Sequence, residues 1–130
     1  MRVELPWPPR ELSPNARHDR RAIAGIRKRY RQQCWALTLS GKRKLDAWLE
    51  PQSSLHLVIT FHPPDKRRRD LDNMLASMKS GLDGVADALG VDDAEWALTI
   101  SKGAPVLSGA VHITVGAKAA PGISYEGKIS

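Results

Sequence analysis

Within the 130-residue chain, the run Lys66-Arg67-Arg68-Arg69-Asp70-Leu71-Asp72-Asn73 sets four cations directly before two carboxylates and a carboxamide. Two carboxylates one residue apart point about 200° from each other inside a helix, too far round to share a ligand. With Asp70 at a non-helical N-cap and Asp72 in the first turn, both can face one cation. Mg²⁺ takes a few carboxylate oxygens and keeps several waters, so the pair suits it, and Asn73 adds a neutral oxygen. A second acidic pair, Asp92-Asp93, follows the next apolar segment, and Asp93 offers a third carboxylate. The chemistry open to such a set is phosphodiester hydrolysis. Acid-held Mg²⁺ lowers the pKa of a water and clamps developing charge, while Lys66, Arg67, Arg68 and Arg69 hold the backbone and stabilise the transition state. The plainer alternative makes Asp70 a helix cap and Asp72 a first-turn acid facing water. The four preceding cations and the second acidic pair weigh against it, since a cap needs neither.

The rest of the charge agrees. The chain carries 20 Lys+Arg against 14 Asp+Glu, a net charge of +6, which favours an anionic partner. Arg17, Arg20, Arg21, Arg27, Lys28, Arg29, Arg31, Lys42, Arg43 and Lys44 crowd one stretch with little opposing acid. If they meet phosphates, affinity falls steeply with salt. No recognition-helix or zinc-finger pattern reads bases, so selectivity has to come from DNA shape. Cys34, the single cysteine, excludes an intrachain disulfide, a thiolate metal cluster and a Cys/His deaminase centre, and reads as an ordinary buried thiol. No stretch of 18 apolar residues occurs and the opening MRVELPWPPRE has no apolar run, so membrane spanning and export are not expected. Trp7, Trp35, Trp48 and Trp96 read as core or dimer contacts. His56 and His62 receive no role, although His62 could approach the acids.

The elements that must position these groups follow from periodicity. Residues 2–5 alternate and meet Pro6, Pro8 and Pro9, which end a short strand. A helix is expected over 19 to about 39, with Ile23, Ile26, Tyr30, Cys34, Trp35 and Leu37 as its apolar stripe; Ser40-Gly41 should interrupt it before a further turn reaching 50. Residues 55–61 form the clearest strand, closed by Pro63-Pro64. Leu71, Met74, Leu75, Met78, Leu82, Val85 and Leu89 recur at helical spacing, and Gly90 stops that helix. Trp96, Leu98 and Ile100, then Val111, Ile113 and Val115, suggest two strands in a wide hairpin. A helix over 71–89 is roughly 28 Å long. Asp93 must therefore return to its first turn by strand pairing or come from across a dimer, and the strand after it is expected to make the return. The fold class is α+β: two layers, a small mixed sheet with helices on one face, order β-α-β-α-β-β. One domain covers 1–116, and 117–130 reads as a flexible C-terminal tail.

With these residues in place the chain resembles the RusA family of Holliday junction resolvases (crossover junction endodeoxyribonucleases). The resemblance rests on Leu5-Pro6-Trp7-Pro8-Pro9, Phe61-His62-Pro63-Pro64-Asp65, the Arg67-to-Asn73 run and Val91-Asp92-Asp93-Ala94-Glu95, landmarks spread over residues 3 to about 116. It implies a homodimeric endonuclease, cytoplasmic and nucleoid-associated, encoded by a bacterium or a prophage. Such an enzyme binds branched DNA, above all four-way junctions, and nicks them symmetrically in DNA recombination and repair. Mg²⁺ is its cofactor, and Mn²⁺ substitutes. Carried onto this chain, Asp70, Asp72 and Asp93 are the metal-binding and catalytic acids, with Asp92 their neighbour. The family's lysine four residues beyond the second aspartate is absent, since Ala76 stands there. Lys79 is the candidate replacement, about 20° from Asp72 around a straight helix and about 10 Å along it. A junction-binding protein with weak or no turnover is the alternative.

Overall fold

The computed structural model describes residues 1–17, 19–44, 55–90 and 96–117. Its elements are β1 (Arg2–Pro6), a 3-10 turn η1 (Arg10–Leu12), α1 (Arg20–Lys44), β2 (Leu55–His62), α2 (Leu71–Ser77), α3 (Lys79–Leu89), β3 (Ala97–Lys102) and β4 (Ala110–Ala117). The fold is α+β with a four-stranded mixed sheet, close to the expected order. The tail beyond 117 lies outside the described residues.

The sheet runs β1-β4-β2-β3. Leu55, Leu57, Ile59 and Phe61 of β2 and Val111, Ile113 and Val115 of β4 are buried, because period-two alternation puts every second side chain on the helix-covered face. His56, Thr60, His62, His112 and Thr114 take the other face. There His62 and His112 lie 4.6 Å apart, and His112 Nε2 hydrogen-bonds Glu4 (2.9 Å).

The expected hairpin does not form. β3 pairs in parallel with β2, Ala97 beside His56 and Lys102 beside Phe61, while β4 pairs antiparallel with β2 and β1. The reason is the connection between β2 and β3: α2 and α3 carry the chain back along the sheet, which makes a crossover unit and obliges a parallel strand. β3 becomes an edge, and the 103–109 loop passes β2 to reach β4. At this edge Leu98 remains 38% exposed.

Both helical expectations need correction. Ser40-Gly41 does not interrupt α1, which continues to Lys44. Gly41 packs against Met1 and Val3 of the β1 edge, so tertiary packing overrides glycine's poor helix propensity. The buried stripe of α1 is Tyr30, Cys34 and Thr38, while Trp35 and Leu37 are exposed. The 71–89 helix is broken at Met78, where the N–H bonds the Leu75 carbonyl (3.0 Å) and ψ falls to −5°. It ends as expected at Gly90, left-handed at φ 72°.

Candidate functional site

β2 leaves the sheet at His62 and residues 63–70 cross to the start of α2. Asp65 organises this crossing. Its Oδ1 accepts hydrogen bonds from the Arg67 N–H (2.9 Å) and from Arg69 Nη1 (2.7 Å), and Arg67 Nε lies 3.5 Å from Oδ2. The Arg69 bond, then the Arg67 N–H, hold the Asp65 carboxyl well below the ordinary carboxylate range. Arg69 also bonds the Arg67 carbonyl (3.2 Å) and lies over the Trp7 ring at 5.8 Å, within cation–π range. Its side chain is only 19% exposed, whereas Lys66, Arg67 and Arg68 face solvent. The four cations are therefore not equivalent: one braces the loop that displays the others.

The crossing delivers Asp70 to the N-cap of α2 with extended backbone (φ −86°, ψ 139°) and Asp72 to the first turn. These are the backbone positions expected for the pair. Asp70 does not act as a cap, because its side chain makes no capping hydrogen bond. Among the described residues neither Asp70 nor Asp72 forms an ion pair or side-chain hydrogen bond. Asn73 is half-buried, with its carbonyl taking the Ser77 hydroxyl (2.9 Å).

Facing this segment is the chain that leaves β1. Tyr30 Oη donates to the Pro6 carbonyl (2.7 Å) and fixes where Trp7, Pro8 and Pro9 emerge; burial raises the Tyr30 pKa far above its usual range. Trp7 packs edge-on against Phe61 at 6.2 Å. Gly109 lies beneath it, left-handed at φ 73°, where a Cβ would crowd the indole at 2.9 Å. Between the two segments lies a cleft of about 640 Å³, lined on one side by Trp7, Pro8, Pro9, Arg10, Ser13 and Asn15 and on the other by Arg67, Arg68, Arg69, Asp70, Asn73, Met74 and Ser77. It is the size of a small-molecule site, with four arginines and one carboxylate on its walls.

Other expected residues lie elsewhere. Asp72 is exposed beside the cleft and does not line it. Arg17, Arg20, Arg21, Arg27 and Lys28 are exposed on or just before α1, and none lines the cleft. Arg31 is committed to Asp87 (2.7 Å). Lys79 is exposed and opens α3 beyond the break at Met78, so the straight-helix placement beside Asp72 does not hold and Lys79 is not on the cleft wall. His62 is bonded to the Ala104 carbonyl (2.8 Å) on the open sheet face and does not line the cleft. Cys34 is fully buried, and burial pushes its thiol up to about 12. Trp48, Asp92 and Asp93 lie outside the described residues, among which no three His, Cys, Asp or Glu form a metal-binding group. The strand expected after Asp93 does run back toward the crossing. β3 begins beside His56, at the opposite end of β2 from the crossing, about 20 Å away at strand rise. Its last residue, Lys102, reaches the site end.

The residues that sequence reasoning missed are Asp65, Arg10, Ser13 and Asn15. Asp65 stood in the Phe61-to-Asp65 landmark without a role, although its place four residues before Arg69 was a signal that could have found it. The 8–15 wall had a weak signal, polar side chains in a proline-bounded loop.

No family model matches the chain. Over 100 residues it is 40% identical to an uncharacterized protein of Xylella fastidiosa (strain Temecula1), a match that covers 70% of this chain and 59% of that one. The chain thus spans about three-fifths of the relative's length, and the relative's description states no activity. Among the described residues no helix is long and apolar enough to cross a membrane.

Proposed function

We propose that the chain is a RusA-like, metal-dependent endonuclease that cuts four-way DNA junctions as a homodimer, by paired symmetric phosphodiester hydrolysis. The observation that carries the reading is the uncapped Asp70: an N-cap carboxylate free of capping bonds, set in an arginine-walled cleft with Asp72 one residue into the helix. Unused carboxylate oxygens suit Mg²⁺ or Mn²⁺, which bind through one or two carboxylates plus substrate phosphate. Asp70 and Asp72 would hold the ion, with Asp93 completing the set and Asn73 and Asp92 beside it. When bound, the ion supplies an activated water and charge neutralisation. The chain's own contribution is positional: Asp65 and Arg69 fix the crossing, and Arg67, Arg68 and Lys66 hold the phosphate backbone. Arg17, Arg20, Arg21, Arg27 and Lys28 add sequence-independent attraction for the junction arms.

The third ligand can come from the same chain or from a second copy, and the reading adopted takes Asp93 from a second copy. A two-fold dimer then presents two shared sites to two equivalent strands.

A second reading, junction binding with little turnover, is favoured by Ala76 and by the position of Lys79 off the cleft. The two separate on one experiment. Wild-type protein should retard a synthetic four-way junction in EDTA and cleave it once Mg²⁺ is added. Persistent retardation with no product in either Mg²⁺ or Mn²⁺ would leave only the binder.

A further inference from the structure

The proposed function employs one wall of the cleft. The other wall, residues 8–15, is built as firmly. Pro8, Pro9 and Pro14 restrict its backbone, and three successive turns hold it: Leu12 N–H to the Pro9 carbonyl (2.9 Å), Ser13 N–H to Arg10 (3.1 Å) and Ala16 N–H to Ser13 (3.0 Å). Tyr30 anchors its start at Pro6. The Ser13 hydroxyl accepts the Asn15 N–H (3.4 Å), while the side chains of Arg10 and Asn15 take no part in building it. Arg10 and Asn15 are exposed, and among the described residues neither side chain has a hydrogen-bond or ion-pair partner. Preorganised backbone carrying free donors is the economy of a binding surface, because little ordering remains to be done when the ligand arrives.

We infer that this wall is the second half of a strand grip: Arg10, assisted by Ser13 and Asn15, binds a backbone phosphate next to the one held at Asp70. The inference rests on the nuclease reading and adds the form of the substrate. A cleft of about 640 Å³ falls within the range of sites that take a small molecule, the bulk of a nucleotide or two of one strand. The grip is therefore for the backbone of one strand, which passes between the two walls. Charge fits the same ligand. Arg10 stands across from Arg67 and Arg68, so a strand between them meets cations from both sides, while Asn15 and Ser13 supply donors for phosphate or sugar oxygens. The lining is apolar at Trp7 and Met74, which suits the sugar and base edge.

The test is binding of a fluorescein-labelled single-stranded oligodeoxynucleotide and of a four-way junction, in EDTA, across a salt series, with the full chain. Arg10→Ala should weaken single-strand binding and lower the slope of log K against log[salt] by about 0.7, the share of one phosphate contact. Arg10→Lys should keep the slope, and Asn15→Ala should weaken binding without changing it. Arg2→Ala, which removes an exposed cation on the open sheet face, should leave single-strand binding as in wild type. Melting curves matching wild type confirm that the variants fold. If wild type binds while Arg10→Ala and Asn15→Ala are both indistinguishable from it, the second wall is not a DNA contact and the inference is overturned, with the nuclease reading intact. If wild type binds neither DNA, the nuclease reading itself fails.

Discussion

A carboxylate at a helix N-cap ordinarily accepts hydrogen bonds from the first-turn N–H groups, and its removal costs about 1 kcal/mol. Asp70 makes no such bond, so its removal should separate stability from activity. Asp70→Ala should leave the urea unfolding free energy within about 0.5 kcal/mol of wild type, below the usual cost of losing a cap. Asp70→Asn, Asp72→Asn and Asp93→Asn should each abolish junction cleavage while preserving or tightening binding, because repulsion of phosphate is relieved; Asp92→Asn should matter less. Lys79→Ala should change single-turnover cleavage by no more than about twofold, against the about 10²–10³ lost with a true transition-state contact, and Ala76→Lys should raise it. Asp65 acts through Arg69. Its folded pKa lies below the ordinary 3.8, so its bracing is present above that pH and lost as the pH falls through and below it. The difference in urea midpoint between wild type and Asp65→Asn should therefore be visible at neutral pH and vanish in strong acid. The acidic pair was legible because Asp-x-Asp after a strand-ending Pro-Pro has few geometries open to it. Arg10 and Asn15 were not, because their meeting with Asp70 is made by the docking of β1 onto the sheet and α1.

At the scale of elements, α1 and α3 form the helical layer behind the site, and small residues set their approach. A Cβ on Gly84 would collide with the Arg31 carbonyl, and one on Gly81 would meet the Tyr30 ring at 2.6 Å. Backbone carbonyls cannot rotate away as a side chain can. Gly84→Ala should therefore destabilise the fold by about 2 kcal/mol or more, as overpacking does, despite alanine's better helix propensity; a thermal or urea melt measures it. Periodicity located every strand and both helical stretches, since a half-buried strand and an amphipathic helix must repeat at 2.0 and 3.6 residues. It could not give strand partners. Val111, Ile113 and Val115 alternate identically whether β4 pairs with β3 or with β2, and the choice lies in the α2–α3 crossover. Nor could it show the break at Met78, where apolar spacing continues unchanged through the turn.

At the scale of the whole molecule, the dimer proposed above would tie the chemistry to assembly. If Asp93 comes from a second copy, mixing Asp70→Asn chains with Asp93→Asn chains creates heterodimers with one intact site, and the mixture should nick one strand of a junction although neither variant alone cuts. A mixture as inactive as its parts would place all three acids in one chain. Light scattering at micromolar concentration should report the mass of two 14.3 kDa chains. The basic balance of the chain led to the expectation of an anionic partner, but charge is silent on symmetry.

Metal-dependent paired cleavage by Asp70 and its fellow acids is tested on a fixed four-way junction, each strand end-labelled in turn, incubated with wild type or Asp70→Asn in Mg²⁺ and in EDTA and resolved on a denaturing gel. The predicted result is nicks at symmetric positions in two opposed strands, with wild type and Mg²⁺ only. Intact strands under wild type and Mg²⁺, or equal cleavage by Asp70→Asn, would contradict it.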